Sequence, residues 1–150
     1  MGGIAFCALV LLCSESVMEA YTSMTAGHPF FMGFCKFALL ATLGECLALR
    51  LTKGVYMTAG FGLIPRAVVW GCLGVAISAA FMIFSAGAPA ILHLLGMEAA
   101  EQALSGPLGT TKILTAFSVS LTMNTMFAPI MMIAHKVADL HIAQYQGRLA

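Results

Sequence analysis

A small set of polar residues lies inside long apolar stretches of this sequence, where each one is expensive to bury. A charged group at membrane depth costs roughly 2.5 to 3.5 kcal/mol, so each is a candidate for function. The candidates for a pathway or another intramembrane polar site are Lys36, Glu45, Arg66, Asn124, Pro129, His135 and Asp139. Their residue types suit ion pairing, proton exchange or the lining of a solute path.

Lys36 and Glu45 lie in the same apolar stretch but cannot pair with each other. Nine residues of helix put them on nearly opposite faces and about 13 Å apart along the axis. Lys36 lies near the start of the stretch and can extend its long side chain to the membrane surface, which is a non-functional alternative. Glu45 can pair with Arg50 or Arg66 as a structural clamp, or take part in function, and the sequence favours neither.

The last apolar stretch contains an asparagine and a proline. Asn124 lies mid-helix, and Pro129 removes a backbone hydrogen bond about one and a half turns later, which predicts a kink and an exposed carbonyl. Serines and threonines add polarity to the same stretch: Ser118, Ser120, Thr122 and Thr125. One interpretation is a groove lined by water or ligand. The alternative is that these hydroxyls bond to carbonyls of the preceding helical turn.

His135 and Asp139 are four residues apart, so they share one helix face. The carboxylate is close enough to orient or charge the imidazole, which suggests a proton-sensitive latch beside the Pro129 kink. The alternative is a solvated histidine at an interfacial helix end. A metal site needs at least one more ligand, and His141 points elsewhere. We therefore predict no metal, no other cofactor and no catalytic centre, so the chain is not expected to be an enzyme.

The composition indicates the class of protein that must position these residues. The chain has 150 residues, 61% of them hydrophobic and 9% charged, whereas a soluble domain carries about 25% charged residues. So few charges cannot cover a water-exposed surface, and we predict an integral membrane protein with the lipid bilayer as its partner. The formal net charge of +1 gives no indication of a nucleic-acid partner.

A spanning helix needs about 20 mostly apolar residues. Four stretches are predicted to span the membrane, the first of them short: approximately 2–18, 30–49, 67–86 and 113–134. Between residues 88 and 111 an apolar side flanked by acidic residues predicts a short interfacial helix. The predicted fold is thus all-α, a polytopic transmembrane helix bundle that forms one domain over residues 1–150.

Small residues four apart indicate where helices approach closely in lipid, and they favour a compact bundle within one chain or between copies. The pairs are Gly44 with Ala48, Ala38 with Thr42, and Gly74 with Ser78. Trp70 lies near a predicted span end, where aromatic residues commonly anchor a helix at the interface.

Charge in the short loops predicts the orientation of the bundle. Arg50, Lys53 and Arg66 cluster between the second and third predicted spans, and positively charged loops stay in the cytoplasm. With four alternating spans, both termini are then cytoplasmic. We predict a multi-pass protein of a bacterial inner membrane.

Several runs resemble those of a known group of proteins. They are His28-Pro29-Phe30, Lys36-Phe37-Ala38, Thr42, Gly44-Glu45, Arg50, Arg66, Trp70-Gly71, Gly74, and Asn124 to Asp139 with Phe127-Ala128-Pro129 and His135. This pattern resembles bacterial multi-pass membrane proteins loosely grouped with the Mpv-seventeen and peroxisomal membrane protein family. The resemblance covers most of the chain from His28 onward and implies a small helical membrane protein with channel-like activity. It implies no substrate.

Two functions follow from these observations as hypotheses. The first is a small channel- or transporter-like protein whose polar groups in the second and last predicted spans line a pathway. The second is a structural or assembly subunit whose small-residue faces bind a second copy or a partner membrane protein.

Overall fold

A computed structural model describes residues 14–147 of the chain, and every regular element in this range is helical. We label the helices α1 (Glu15–Gly27), α2 (Pro29–Lys53), α3 (Leu63–Leu94), α4 (Ala100–Ala103), α5 (Thr110–Thr122) and α6 (Ala128–Gln144). A π-helical turn over Met123–Phe127 joins α5 to α6 into one continuous helix. The predicted all-α class is confirmed.

Among residues 14–147, three helices are long and apolar enough to cross a membrane. They are Pro29–Lys53, Leu63–Leu94 and Thr110–Gln144, and their most apolar windows have mean hydropathies of 1.6, 2.2 and 1.4. They correspond to the second, third and fourth predicted spans. Residues 2–13 of the first predicted span lie outside the described residues. The remainder of that span belongs to α1, which continues to Gly27, where no helix was predicted.

The third predicted span and the interfacial helix after it were misjudged. The prediction ended the span at residue 86, yet α3 continues through Pro89 to Leu94. A proline inside a helix removes one hydrogen bond, but neighbouring helices can compensate for it within an apolar environment. Pro89 is indeed buried. The predicted interfacial helix is therefore reduced to the single turn Ala100–Ala103.

A short loop joins α2 to α3 and brings their ends together. Gly54 ends α2 in the left-handed conformation, with φ of 76°, and its N–H donates to the Arg50 carbonyl at 3.1 Å. This is a common helix ending, and glycine adopts it without steric cost. Gly62 precedes α3, also with a positive φ. Pro65 lies in the first turn of α3, where its missing N–H costs no helical hydrogen bond.

Close packing between α2 and α3 rests on small residues. A Cβ added to Gly74 would lie 2.4 Å from the Gly33 carbonyl oxygen, and one added to Gly33 would lie 2.3 Å from Ser78 Oγ. The predicted role of Gly74 with Ser78 is thus confirmed. Gly44 and Ala48 are instead exposed, so this pair does not pack within the chain.

The three long helices form a row with α3 in the middle. α3 packs against α2 on one side and against α5 and α6 on the other. No Cα atom of α2 lies within 8 Å of a Cα atom of α5 or α6. Side chains alone connect α2 to α6, and these side chains form the site described below.

The predicted orientation can be tested by cysteine labelling. In a variant without the five native cysteines, a cysteine at Thr58 in the α2–α3 loop should resist a membrane-impermeant maleimide applied to intact spheroplasts. A cysteine at Gln102, beyond the opposite end of α3, should react. Both positions are exposed, so accessibility within the protein does not limit either reaction. The reverse pattern would contradict a cytoplasmic position of the Arg50, Lys53 and Arg66 charges.

Candidate functional site

Five side chains from α2, α3 and α6 meet at the end of the row that carries the α2–α3 loop. We call them the charged cluster, and they are Glu45, Arg66, Trp70, His135 and Asp139. Each of the three long helices contributes at least one of them. The charged cluster is therefore the point where the whole row is joined by polar contacts.

Arg66 is the centre of the charged cluster. Its Nη1 lies 2.6 Å from Glu45 Oε2 and 2.6 Å from Asp139 Oδ1. Its Nε donates to the Phe61 carbonyl oxygen at 2.8 Å, and its guanidinium carbon lies 4.8 Å from the centre of the Phe61 ring. The exposed fractions of the Arg66, Glu45 and Asp139 side chains are 15%, 20% and 24%. Charge-assisted bonds in such partly dehydrated surroundings are strong, so Arg66 ties α3 to both neighbours.

Trp70 and His135 complete the cluster around the second oxygen of Glu45. The indole Nε1 of Trp70 donates to Glu45 Oε1 at 2.7 Å, and His135 Nε2 lies 3.3 Å from the same atom. His135 Nε2 also lies 3.8 Å from Asp139 Oδ1. The imidazole and indole rings are in contact and tilted, with centroids 4.2 Å apart and ring planes at 38°. A carboxylate only accepts hydrogen bonds, so the bond to Glu45 requires a proton on Nε2.

Helical spacing explains how two of these helices present pairs of residues. Arg66 and Trp70 are four apart on α3, and His135 and Asp139 are four apart on α6, so each pair lies on one face. The sequence identified four of the five members. Of the two arginines predicted as partners of Glu45, Arg66 forms the ion pair. Trp70 was interpreted only as an interfacial anchor. Its spacing from Arg66 was the signal that could have placed it in the site.

Arg50, the other predicted partner of Glu45, lies outside the charged cluster. Its guanidinium donates to the carbonyl oxygen of Gly54 and lies 5.4 Å from the centre of the Tyr56 ring. Arg50 therefore closes the end of α2 rather than neutralising the carboxylate.

Lys36 is also separate from the charged cluster. Its Nζ lies 3.3 Å from Thr25 Oγ1 and 4.6 Å from the centre of the Tyr21 ring, both on α1. The lysine thus fixes the short helix α1 to the start of α2. This contact agrees with the non-functional alternative that its side chain extends towards the end of the helix.

Asn124 and the nearby threonines make hydrogen bonds within their own helix. Asn124 Nδ2 donates to the Ser120 carbonyl at 2.8 Å. Thr122 and Thr125 bond in the same way to carbonyls one turn back, at 2.8 Å each. These bonds agree with the alternative drawn from the sequence. Asn124 nevertheless lines two grooves against α3, with volumes of about 300 and 230 Å³.

The helix irregularity predicted at Pro129 takes the form of the π-helical turn. Pro129 has no N–H to donate to the carbonyl of Thr125, so a regular α-helix would leave that carbonyl without its partner. The N–H of Ala128 instead donates to the Met123 carbonyl, five residues back. Such single π-helical turns occur frequently at functional sites.

A cavity of about 470 Å³ opens beside the charged cluster. Its lining includes Glu45, Arg66 and Asp139 of the charged cluster, Lys53, and Thr58 of the loop. Two acidic and two basic side chains thus face the same space. A small polar solute or ion could contact these charges there.

Three members of the charged cluster have the chemistry of metal ligands. One donor atom each from Glu45, His135 and Asp139 lies within 4.8 Å of the other two. The sequence offered His135 and Asp139 but no third ligand, because Glu45 lies on another helix, 90 residues earlier in the chain. Helix packing brings this third ligand into place.

Comparison with protein-family models, curated proteins and solved structures finds no match for the chain. The resemblance to bacterial multi-pass proteins and the Mpv-seventeen group therefore stays a prediction. The function must be argued from the site itself.

Proposed function

We propose that this protein spans a bacterial inner membrane and acts as a small channel- or transporter-like protein. In this proposal the charged cluster forms the polar part of a transport pathway for a small solute or ion. The observation that supports it is the convergence of ionisable side chains from all three span-capable helices beside a cavity of about 470 Å³. Ionisable residues within membrane helices are rare and costly, and they often mark substrate and ion pathways.

Energetics support a functional role for the charged cluster. A buried ion pair contributes little net stability, because the cost of removing both charges from water offsets their attraction. An apolar set of residues of similar size would join the helices at least as well. That a protein so poor in charge places two acids, an arginine and a histidine together favours a role beyond packing.

The row of three helices favours an assembly role as the second candidate. In the part of the chain that the structure describes, the three long helices lie side by side without enclosing a path, and α2 does not pack against α5 or α6. Large apolar residues such as Leu40, Leu47 and Ile83 are exposed by 65%, 52% and 66%. These exposed apolar surfaces would let a second copy or a partner membrane protein complete a pathway. The same apolar surfaces would bind partner helices in a structural subunit that transports no solute.

Reconstitution into liposomes tests the proposal. Purified protein should carry flux of at least one member of a panel of protons, potassium, chloride, divalent cations and small zwitterions. Glu45→Gln should reduce that flux to near the level of protein-free liposomes, because it removes the charge but keeps the size and an acceptor for Trp70. Asn124→Leu should reduce it as well if the path continues along the α3 groove.

Glu98→Gln is the matched control, since Glu98 is exposed in the loop after α3 and far from the charged cluster. Its flux should equal that of the wild type. Absence of flux from folded wild-type protein, together with recovery of a stable partner after mild solubilisation, would favour the assembly role. Equal flux in Glu45→Gln and Glu98→Gln would contradict a pathway through the charged cluster.

A further inference from the structure

We infer that Glu45, His135 and Asp139 form a binding site for a divalent first-row transition-metal ion, which exchanges with the guanidinium of Arg66. Two carboxylates and an imidazole from α2 and α6 converge on a common point, with donor atoms within 4.8 Å of one another. The inference deepens the proposed function, on which it rests for any role in transport. Binding itself is measurable without a membrane.

The distances between donor atoms fit a metal ion. Ligand bonds to zinc are about 2.0 to 2.2 Å long, so two donors on one tetrahedral ion lie roughly 3.3 to 3.6 Å apart. His135 Nε2 lies 3.3 Å from Glu45 Oε1 and 3.8 Å from Asp139 Oδ1. The Glu45 and Asp139 donor atoms lie within 4.8 Å of each other, so the two carboxylates must move closer together for all three atoms to contact one ion.

The donor types select the class of ion. Calcium and magnesium prefer oxygen ligands alone, whereas an imidazole together with carboxylates suits zinc, manganese, iron or cobalt. Trp70 supports the arrangement, because its N–H bonds to Glu45 Oε1 at 2.7 Å and orients that carboxylate. Such hydrogen bonds to a ligand typically change metal affinity by about 10- to 100-fold.

In this structure the Arg66 guanidinium supplies the positive charge between Glu45 and Asp139. One nitrogen atom, Nη1, lies 2.6 Å from Glu45 Oε2 and 2.6 Å from Asp139 Oδ1 and so bridges the two carboxylates, whereas His135 faces the other oxygen of Glu45. A metal ion must displace this contact, at least in part, and the imidazole proton of His135 must move from Nε2 to Nδ1 so that Nε2 can bind the ion. The side chain has room to move, because Arg66 lines the cavity of about 470 Å³ and is already bonded to the Phe61 carbonyl. Exchange would replace a single positive charge between the carboxylates by a double one.

The chain contains its own reporter for this exchange. Trp70 is the single tryptophan of the protein, and its ring stacks on His135. Cobalt quenches indole fluorescence at short range, so quenching by bound cobalt would report this site. Equilibrium dialysis of cobalt gives an independent measure in variants where the tryptophan environment itself changes.

The test uses full-length protein in detergent, freed of metal and titrated with Co²⁺. We expect one bound equivalent that Zn²⁺ displaces. His135→Gln should weaken binding by about tenfold or more, because it removes a ligand. The matched control is His141→Gln on the same helix, whose ring stacks on Tyr145 outside the charged cluster and should bind cobalt like the wild type. Arg66→Gln should strengthen binding by about tenfold, because it removes the competing charge.

Three results would overturn the inference. The first is equal affinity in His135→Gln and His141→Gln. The second is no binding up to millimolar cobalt in either the wild type or Arg66→Gln. The third is unchanged affinity in Arg66→Gln, or in Arg66→Met if Arg66→Gln does not fold. Flux of a solute other than a metal, with no cobalt binding, would reject this inference and leave the proposed function standing.

Discussion

Replacing Arg66 with methionine is expected to lower the free energy of unfolding by about 3 kcal/mol or more. The variant removes the cation that lies 2.6 Å from both Glu45 and Asp139 and leaves two carboxylates close together. Both acids are less than a quarter exposed, so water and salt screen their repulsion poorly. Methionine keeps much of the side-chain volume, so the loss reflects charge more than packing.

Circular dichroism of urea-induced unfolding in mild detergent measures the change. Arg50→Met is the matched control, because this exposed arginine bonds only at the end of α2, and its loss should cost within about 0.5 kcal/mol. A triple variant that combines Arg66→Met with Glu45→Gln and Asp139→Asn also removes the two unpaired carboxylate charges. It should recover most of the lost stability. If Arg66→Met were as stable as Arg50→Met, the ion pairs would not hold α2 and α6 to α3.

The second large effect is expected where α2 and α3 approach most closely. Gly74→Ala would put a Cβ 2.4 Å from the Gly33 carbonyl oxygen and 2.7 Å from Phe37 Cβ. Backbone atoms cannot move aside as a flexible side chain does, so the two helices must separate. We expect a loss of about 2 to 3 kcal/mol, at the upper end for an added methylene in a packed core.

Gly44→Ala is the control for this prediction, because a Cβ added there has no atom within 4 Å. It should be neutral or slightly stabilising, since alanine favours helix by up to about 1 kcal/mol over glycine. Separation of α2 from α3 should also weaken the bond from Trp70 to Glu45 and shift the tryptophan emission in Gly74→Ala alone. Identical stability and emission in the two variants would show that the helices do not depend on this contact.

The sequence predicted the long helices well because apolarity within a stretch is a local property. It misjudged the end of α3, which continues past Pro89, because packing against neighbours decides whether a helix continues past a proline. The pairing of Glu45 with Arg66 was predictable from charge and from their nearness to one loop. The meeting of both with His135 was not, because it depends on how α6 packs against α3.

The role of Trp70 shows a second limit. A tryptophan near the end of an apolar stretch has an ordinary explanation in membrane proteins, and nothing in its immediate neighbours contradicts that explanation. Only the location of the Glu45 carboxylate, 25 residues away in the chain, gives the indole N–H its partner. Distances between residues far apart in the sequence are set by the packing of helices and cannot be predicted from any one segment.

The π-helical turn gives the helix that carries His135 and Asp139 one place where a residue can be lost without moving the charged cluster. Met123–Phe127 accommodates one more residue than the same turn of an α-helix would. Loss of one residue there would let the helix continue as a regular α-helix, with His135 and Asp139 still facing Arg66. Loss of one residue from the regular helix between Phe127 and His135 would instead rotate everything after it by about 100°. Over evolutionary time, single-residue deletions should therefore be tolerated better in this short segment than in the helix that follows it.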